Sequence, residues 1–156
     1  MGSSRTRHYR ASDGVDEWIT GFDRGLRTLT GTHQAARPNP AKDVAEADLT
    51  AQERSHVAGL MRVNHTGEVC AQALYEGQAL MASDTNAKAS LMSAAAEEQE
   101  HLVWCRSRLR ELGARPSLLD PVFFGLSFAM GAAAGLMGDR VSLGFVEATE
   151  DQVVQH

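Results

Sequence analysis

Apolar residues recur at three- and four-residue spacing over four stretches of this chain, and a fifth stretch carries no charge at all. That periodicity predicts helices throughout. Val15, Trp18, Ile19, Phe22, Leu26 and Leu29 mark an amphipathic helix, expected to pack on the core in preference to lying on a membrane surface. Residues 30–48, with Gly31, Pro38 and Pro40, read as a linker. Thr50-Ala-Gln-Glu53 has the form of a capping box and should open a long helix running to about Ala82. Its expected buried stripe is Val57, Leu60, Met61, Asn64, Glu68, Ala71, Gln72, Tyr75 and Ala79. Ser83 to Asn86 supplies a turn and cap. The next helix should run from about 86 to 112 and stop at Gly113, a residue suited to the left-handed position after a helix.

The uncharged stretch runs from Pro121 to Gly138, bracketed by Asp120 and Asp139. Eighteen residues is the lower edge for a membrane span. The leading Pro, the many glycines and the acidic flanks favour a buried or interfacial helix. Gly131 to Gly135 offers a small-residue face for close helix contact. From Ser142 the pattern Leu143, Val146, Val153, Val154 predicts a last helix that reaches His156 in mid-pattern, as a truncated chain would. The expected organisation is an N-terminal helix and linker over 1–48 and a helical bundle over 49–156.

Composition narrows the picture. Hydrophobic residues make up 43% of 156, which sets the chain apart from disordered sequences. A net charge of −5 without a basic block argues against nucleic-acid binding. Cys70 and Cys105 fall on apolar stripes and read as buried free thiols. The first thirty residues hold no apolar secretory core.

The chemistry lies in three acids that fall on apolar stripes. Glu68, Glu98 and Glu150 each occupy an inward line of a different helix, and Glu98 forms a Glu-x-x-His pair with His101. Residues three apart on a helix project from one side. An unpaired buried carboxylate is costly unless a cation or proton compensates. Oxygen-rich, His-containing sites in helical bundles suit iron or manganese, and carboxylate-bridged two-metal bundles combine single-Glu helices with Glu-x-x-His helices. Glu147, one turn before Glu150, is the less buried competitor. A second Glu-x-x-His, Glu53 and His56, lies at least twelve residues from Glu68 on one helix, roughly 18 Å away. It cannot join the cluster. His65 is near Glu68 and reads as supporting or structural, with direct ligation the lesser alternative. His8 and His33 read as solvated.

Leu60-Met-Arg-Val-Asn-His-Thr-Gly-Glu-Val-Cys-Ala-Gln-Ala-Leu-Tyr-Glu-Gly-Gln78 resembles the first metal-ligand helix of the demethoxyubiquinone hydroxylases, ferritin-like di-iron monooxygenases of ubiquinone biosynthesis. Glu97 to Trp104 is similar to their second ligand helix. Arg115 to Pro121, Gly131 to Gly135 and Gly138 to Phe145 are similar to their hydrophobic middle and the start of their third helix. The likeness covers about 45–156. It implies an all-α, ferritin-like bundle with two ferrous ions: Glu68 and His101 on the first iron, Glu98 bridging, Glu150 on the second. It implies O2-dependent hydroxylation of a polyprenyl methoxy-benzoquinol (demethoxyubiquinol). It also implies peripheral contact with the cytoplasmic face of a bacterial membrane, or the inner mitochondrial membrane, and a homo-oligomer or a ubiquinone-biosynthesis partner protein. The uncharged run would help form a greasy access route for the prenyl tail. The family's further helix with a second Glu-x-x-His is not in these 156 residues, which leaves the second iron short of ligands and the bundle incomplete. A metal-binding protein of ferritin type and a non-catalytic lipid- or partner-binding scaffold are the competing readings.

Overall fold

The computed structural model describes residues 14–154, with only the helical backbone described at 14, 15, 17, 18 and 149–154. Among the described residues there are five helices and no strand: α1 (Gly14–Thr30), α2 (Ala51–Met81), α3 (Thr85–Glu111), α4 (Asp120–Leu136) and α5 (Asp139–Val154). The protein is an all-α bundle of ferritin-like type, organised on α2, which packs most extensively against α3 and α4.

Local chemistry sets most helix ends. Thr50 Oγ1 accepts from the Glu53 amide at 3.3 Å, and Glu53 Oε2 accepts from the Thr50 amide at 2.9 Å, so the capping box opens α2. Asp84 Oδ1 accepts from the amides of Asn86 and Ala87 and opens α3. Gly113, at φ +72°, follows its last turn. Pro121 sits in the first turn of α4, where its missing N–H costs nothing. The last helix starts at Asp139, three residues before the sequence pattern places it. Asp139 explains the difference: its carboxylate accepts from Ser83 N, Ser83 Oγ at 2.7 Å and Asp84 N, tying the start of α5 to the α2–α3 turn.

α2 and α3 form an antiparallel pair, whereas α4 runs alongside α2 in the same direction. Asp120 lies against Thr66, Gly131 against Leu74 and Gly135 against Gln78. The contact is backbone to backbone. A Cβ on Gly131 would stand 2.1 Å from the Leu74 carbonyl oxygen, and one on Gly77 would stand 2.3 Å from that of Phe128. Small residues are required on both helices for this approach. α4 therefore covers only the second half of α2. Leu60 and Asn64, expected in the core, are exposed, because among the described residues nothing overlies that face of the first half. In α5, Val146 packs on the core and Ser142 is buried, while Leu143 is turned outward; Val153 and Val154 lie outside the described side chains.

The apolar stripe of α1 does not enter the core where it is described. Ile19, Phe22 and Leu26 are exposed, and the helix seats itself through Gly25, against the Phe124 ring, and Thr28. Val15 and Trp18 of that stripe are outside the described side chains. α4 also shows an apolar outer face: Val122, Phe123, Leu126 and Met130. No helix is long and apolar enough to cross a membrane among the described residues.

Residues 32–50 form no helix and are held to α3 by ion pairs. Arg37 pairs with Glu100, and Arg108 pairs with Glu46 at 2.7 Å. Glu100 thus faces a guanidinium, and Arg37 holds its carboxyl below the ordinary carboxylate range.

A buried polar clamp joins four helices. His65 Nδ1 lies 3.1 Å from Asp120 Oδ2, and Asp120 Oδ1 accepts from the Thr66 hydroxyl at 2.7 Å. Arg106 donates through Nε to His65 Nε2 at 3.4 Å and through Nη2 to the carbonyls of Thr28 and Leu29 at the end of α1. Gly31, at φ +72°, leaves room for that guanidinium, which a Cβ would strike. An Nε2 that accepts from Arg106 puts the ring proton on Nδ1, toward Asp120. Burial, with the Arg106 charge, holds the His65 pKa below its ordinary value against the opposing pull of Asp120. Asp120→Ala should remove the carboxylate that lies 3.1 Å from the buried His65 Nδ1 and leave the Thr66 hydroxyl without its acceptor. A loss of about 1–3 kcal/mol is expected in urea unfolding at neutral pH, and a change under 0.5 kcal/mol would show the clamp to be incidental.

Candidate metal centre

Three residues after His65, just under one turn on, Glu68 reaches the face of α2 that looks at α3. From α3, Glu98 and His101 come forward one turn apart. One ligand-type atom from each of Glu68, Glu98 and His101 lies within 4.8 Å of the others. His101 Nδ1 is 3.0 Å from Glu98 Oε2 and 3.7 Å from Glu68 Oε2. The three side chains are half-buried, and the His101 ring lies 5.5 Å, centroid to centroid, from that of Trp104. They border a cavity of about 790 Å³ whose walls include Ala71, Leu74, Tyr75, Met130 and Phe145.

The electrostatics of this cluster are those of a site short of positive charge. Burial pushes the Glu68 carboxyl well above the ordinary carboxylate range, and the Glu98 carboxylate beside it adds to the shift. Among the described residues no Lys or Arg pairs with either acid. The Cys105 thiol is pushed up to about 11 by burial and by the same two carboxylates, so it stands next to the cluster as a neutral thiol. Two carboxylates and an imidazole converging in a half-buried cleft match the donor set of a divalent transition metal, which would replace the proton that Glu68 otherwise retains.

The other expected site residues fall as follows. Glu150 is on α5, but its side chain lies outside the described residues. Glu147 is exposed. Phe145 brings the first turns of α5 to the cavity wall. Glu53 and His56 are exposed at the far end of α2. His65 is buried in the clamp with Asp120 and Arg106 and plays a structural part. His33, expected in solvent, is half-buried, with burial and then Arg27 and Arg106 lowering its pKa. His8 and His156 lie outside the described residues. Cys70 and Cys105 are free and half-buried.

The sequence pattern gave no notice of Asp120 or Glu76, both buried. Asp120 looked like the polar bracket of an uncharged run. Glu76 stands four residues after Gln72 on a second buried line of α2, and that i, i+4 pair of polar residues was the available signal.

Comparison with known proteins supplies the family. Residues 55–156 match the model of the family described as "Ubiquinone biosynthesis protein COQ7". The chain is 53% identical over 154 residues to a 3-demethoxyubiquinol 3-hydroxylase of Pseudomonas aeruginosa, covering 98% of this chain and 70% of that protein. It is 56% identical over 142 residues to the enzyme of that name from Chromobacterium violaceum, covering 91% and 69%. To that of Acinetobacter baylyi it is 56% identical over 151 residues, covering 96% and 70%. No solved structure matches the chain. A helical bundle with a Glu/Glu/His cluster at its heart, a family match from residue 55 to residue 156 and relatives more than half identical lead to one conclusion: the chain belongs to the ubiquinone biosynthesis protein COQ7 family.

Proposed function

We propose that the protein is an O2-dependent hydroxylase of demethoxyubiquinol, acting at a carboxylate-bridged two-iron centre. The convergence of Glu68, Glu98 and His101 beside an apolar-walled cavity carries this reading. In the proposed ligand set Glu68 and His101 would hold the first iron, Glu98 would serve both, and Glu150 would hold the second. Ferrous iron there would supply the open coordination positions and electrons that O2 activation requires. The chain's own residues bind and orient. Glu68 would give up the proton it holds without metal and bind as an anion beside Glu98 and the His101 imidazole, whose Nδ1 lies 3.0 Å from Glu98 Oε2. Leu74, Met130 and Phe145 offer a dry wall for the quinol ring. In the overall reaction one oxygen atom replaces a ring hydrogen as hydroxyl and the other leaves as water, with two electrons and two protons drawn from an external donor.

The exposed apolar residues of α1 and α4 support a peripheral seat on a bilayer, the cytoplasmic face in a bacterium, from which a prenylated substrate could be drawn. The test is turnover of a short-chain demethoxyubiquinol under 18O2 by iron-loaded protein. One labelled oxygen per product is expected, together with its loss in Glu98→Ala. Iron bound at two ions per chain with no labelled product would instead favour a storage or binding role.

A further inference from the structure

On another face of α2 lies a second arrangement of polar and apolar groups, which the Glu68 cluster does not use. Glu76 is 5% exposed. Gln72 Nε2 donates to its Oε1 at 2.7 Å, while its Oε2 is buried and has no hydrogen-bond partner among the described residues. Glu76 lines a groove of about 290 Å³ formed by α1, α2, α3 and α4. Phe22, Leu26, Leu80, Met92, Phe124 and Phe128 supply apolar walls, and Arg24 and Lys88 also border it. The groove shares no lining residue with the cavity at Glu68, Glu98 and His101.

A buried carboxyl oxygen left without a partner carries a desolvation penalty that an aliphatic side chain would avoid. Gln72 fixes one oxygen of Glu76 and leaves the other for a ligand. A mostly apolar concavity with one placed polar group has the composition of a small-molecule site, and its volume sits at the lower end of such sites, about 300–1,000 Å³. The charges select the head group. An anionic head would meet Glu76, and a cationic head would meet Arg24. A hydroxyl suits both protonation states of the carboxyl, donating to Oε2 when it is ionised and accepting from it when it is protonated.

We propose that this groove binds a neutral aliphatic alcohol, its chain against Phe22, Phe124 and Phe128 and its hydroxyl on Glu76 Oε2. The site stands independently of any metal at Glu68. The probe is 1-decanol, titrated calorimetrically into the full chain, with decanoate and decylammonium as charged controls. Decanol is expected to bind and to raise the melting temperature, with both controls at least tenfold weaker. Glu76→Leu should weaken decanol about tenfold by removing the head contact. Gly125→Leu should abolish binding by filling the groove, since a Cβ there meets nothing within 4 Å and the fold should tolerate it. Circular dichroism and melting of the variants verify that each is folded. Decanol binding unchanged in either folded variant, or a charged control binding as tightly as decanol, overturns the proposal.

Discussion

Glu68→Gln should separate two properties that the native residue sets against each other. Under the proposed ligand assignment its ferrous affinity should fall by more than about 100-fold, since supporting contacts alone are worth 10–100-fold and Glu68 is a direct ligand. The metal-free protein should become more stable, because an amide removes both the desolvated carboxyl and its conflict with Glu98. The pH dependence follows. A carboxyl whose folded pKa is raised binds more protons in the folded state than in the unfolded one, so its contribution to stability falls as pH rises from the ordinary 4.5 upward through neutrality. Metal-free wild type should lose stability relative to Glu68→Gln between pH 5 and 8. Reading the difference between the two proteins cancels the opposite slope from His65, whose depressed pKa favours folding above its ordinary value of 6.5. Added ferrous or manganous ion should reverse the order at pH 8. Paired melting curves at the two pH values decide it, and parallel curves would sink the idea that Glu68 is protonated when no metal is bound.

Gly131→Leu is the largest stability loss the fold predicts. A Cβ at this position is 2.1 Å from the Leu74 oxygen, 2.9 Å from its carbonyl carbon and 3.0 Å from its Cα. None of these is the tip of a side chain that could swing away. Overpacking commonly costs 1–3 kcal/mol where side chains can yield; here α4 must lift from α2, and about 3 kcal/mol or more is expected. At 2–4 °C per kcal/mol for a domain of this size, the melting temperature should fall by roughly 6–12 °C. Gly125→Leu, on the open side of the same helix, is the control and should move it by far less. Equal shifts in the two variants would mean that helix propensity and not the α2–α4 contact is responsible.

What the sequence could reveal follows from the range of each interaction. The capping box at Thr50 and the stop at Gly113 are settled within four residues, and both appear as read. The all-α bundle follows from periodicity. Glu68, Glu98 and His101 could be picked out because charge on an apolar stripe is conspicuous, and the fold does bring them together. Asp120 and Asp139 show in the sequence only as brackets of an uncharged run, because their partners, Thr66 with His65 and Ser83 with Asp84, lie more than fifty residues away. Leu60 and Asn64 were placed inside because a stripe shows which residues share a face but not how far the covering helix extends. Glu76 was passed over because α2 is buried on more than one face, and a single-stripe reading sees only one of them.

The glycine seam between α2 and α4 bears on how the molecule breathes. Three points of main-chain contact, at Gly77, Gly131 and Gly135, leave no space for one rod to ratchet past the other. The two should exchange their amide hydrogens as one cooperative block and be among the last elements to open. Whatever widens the cleft at Glu68 to admit a guest therefore belongs to α3 and α5, which close it from the other side.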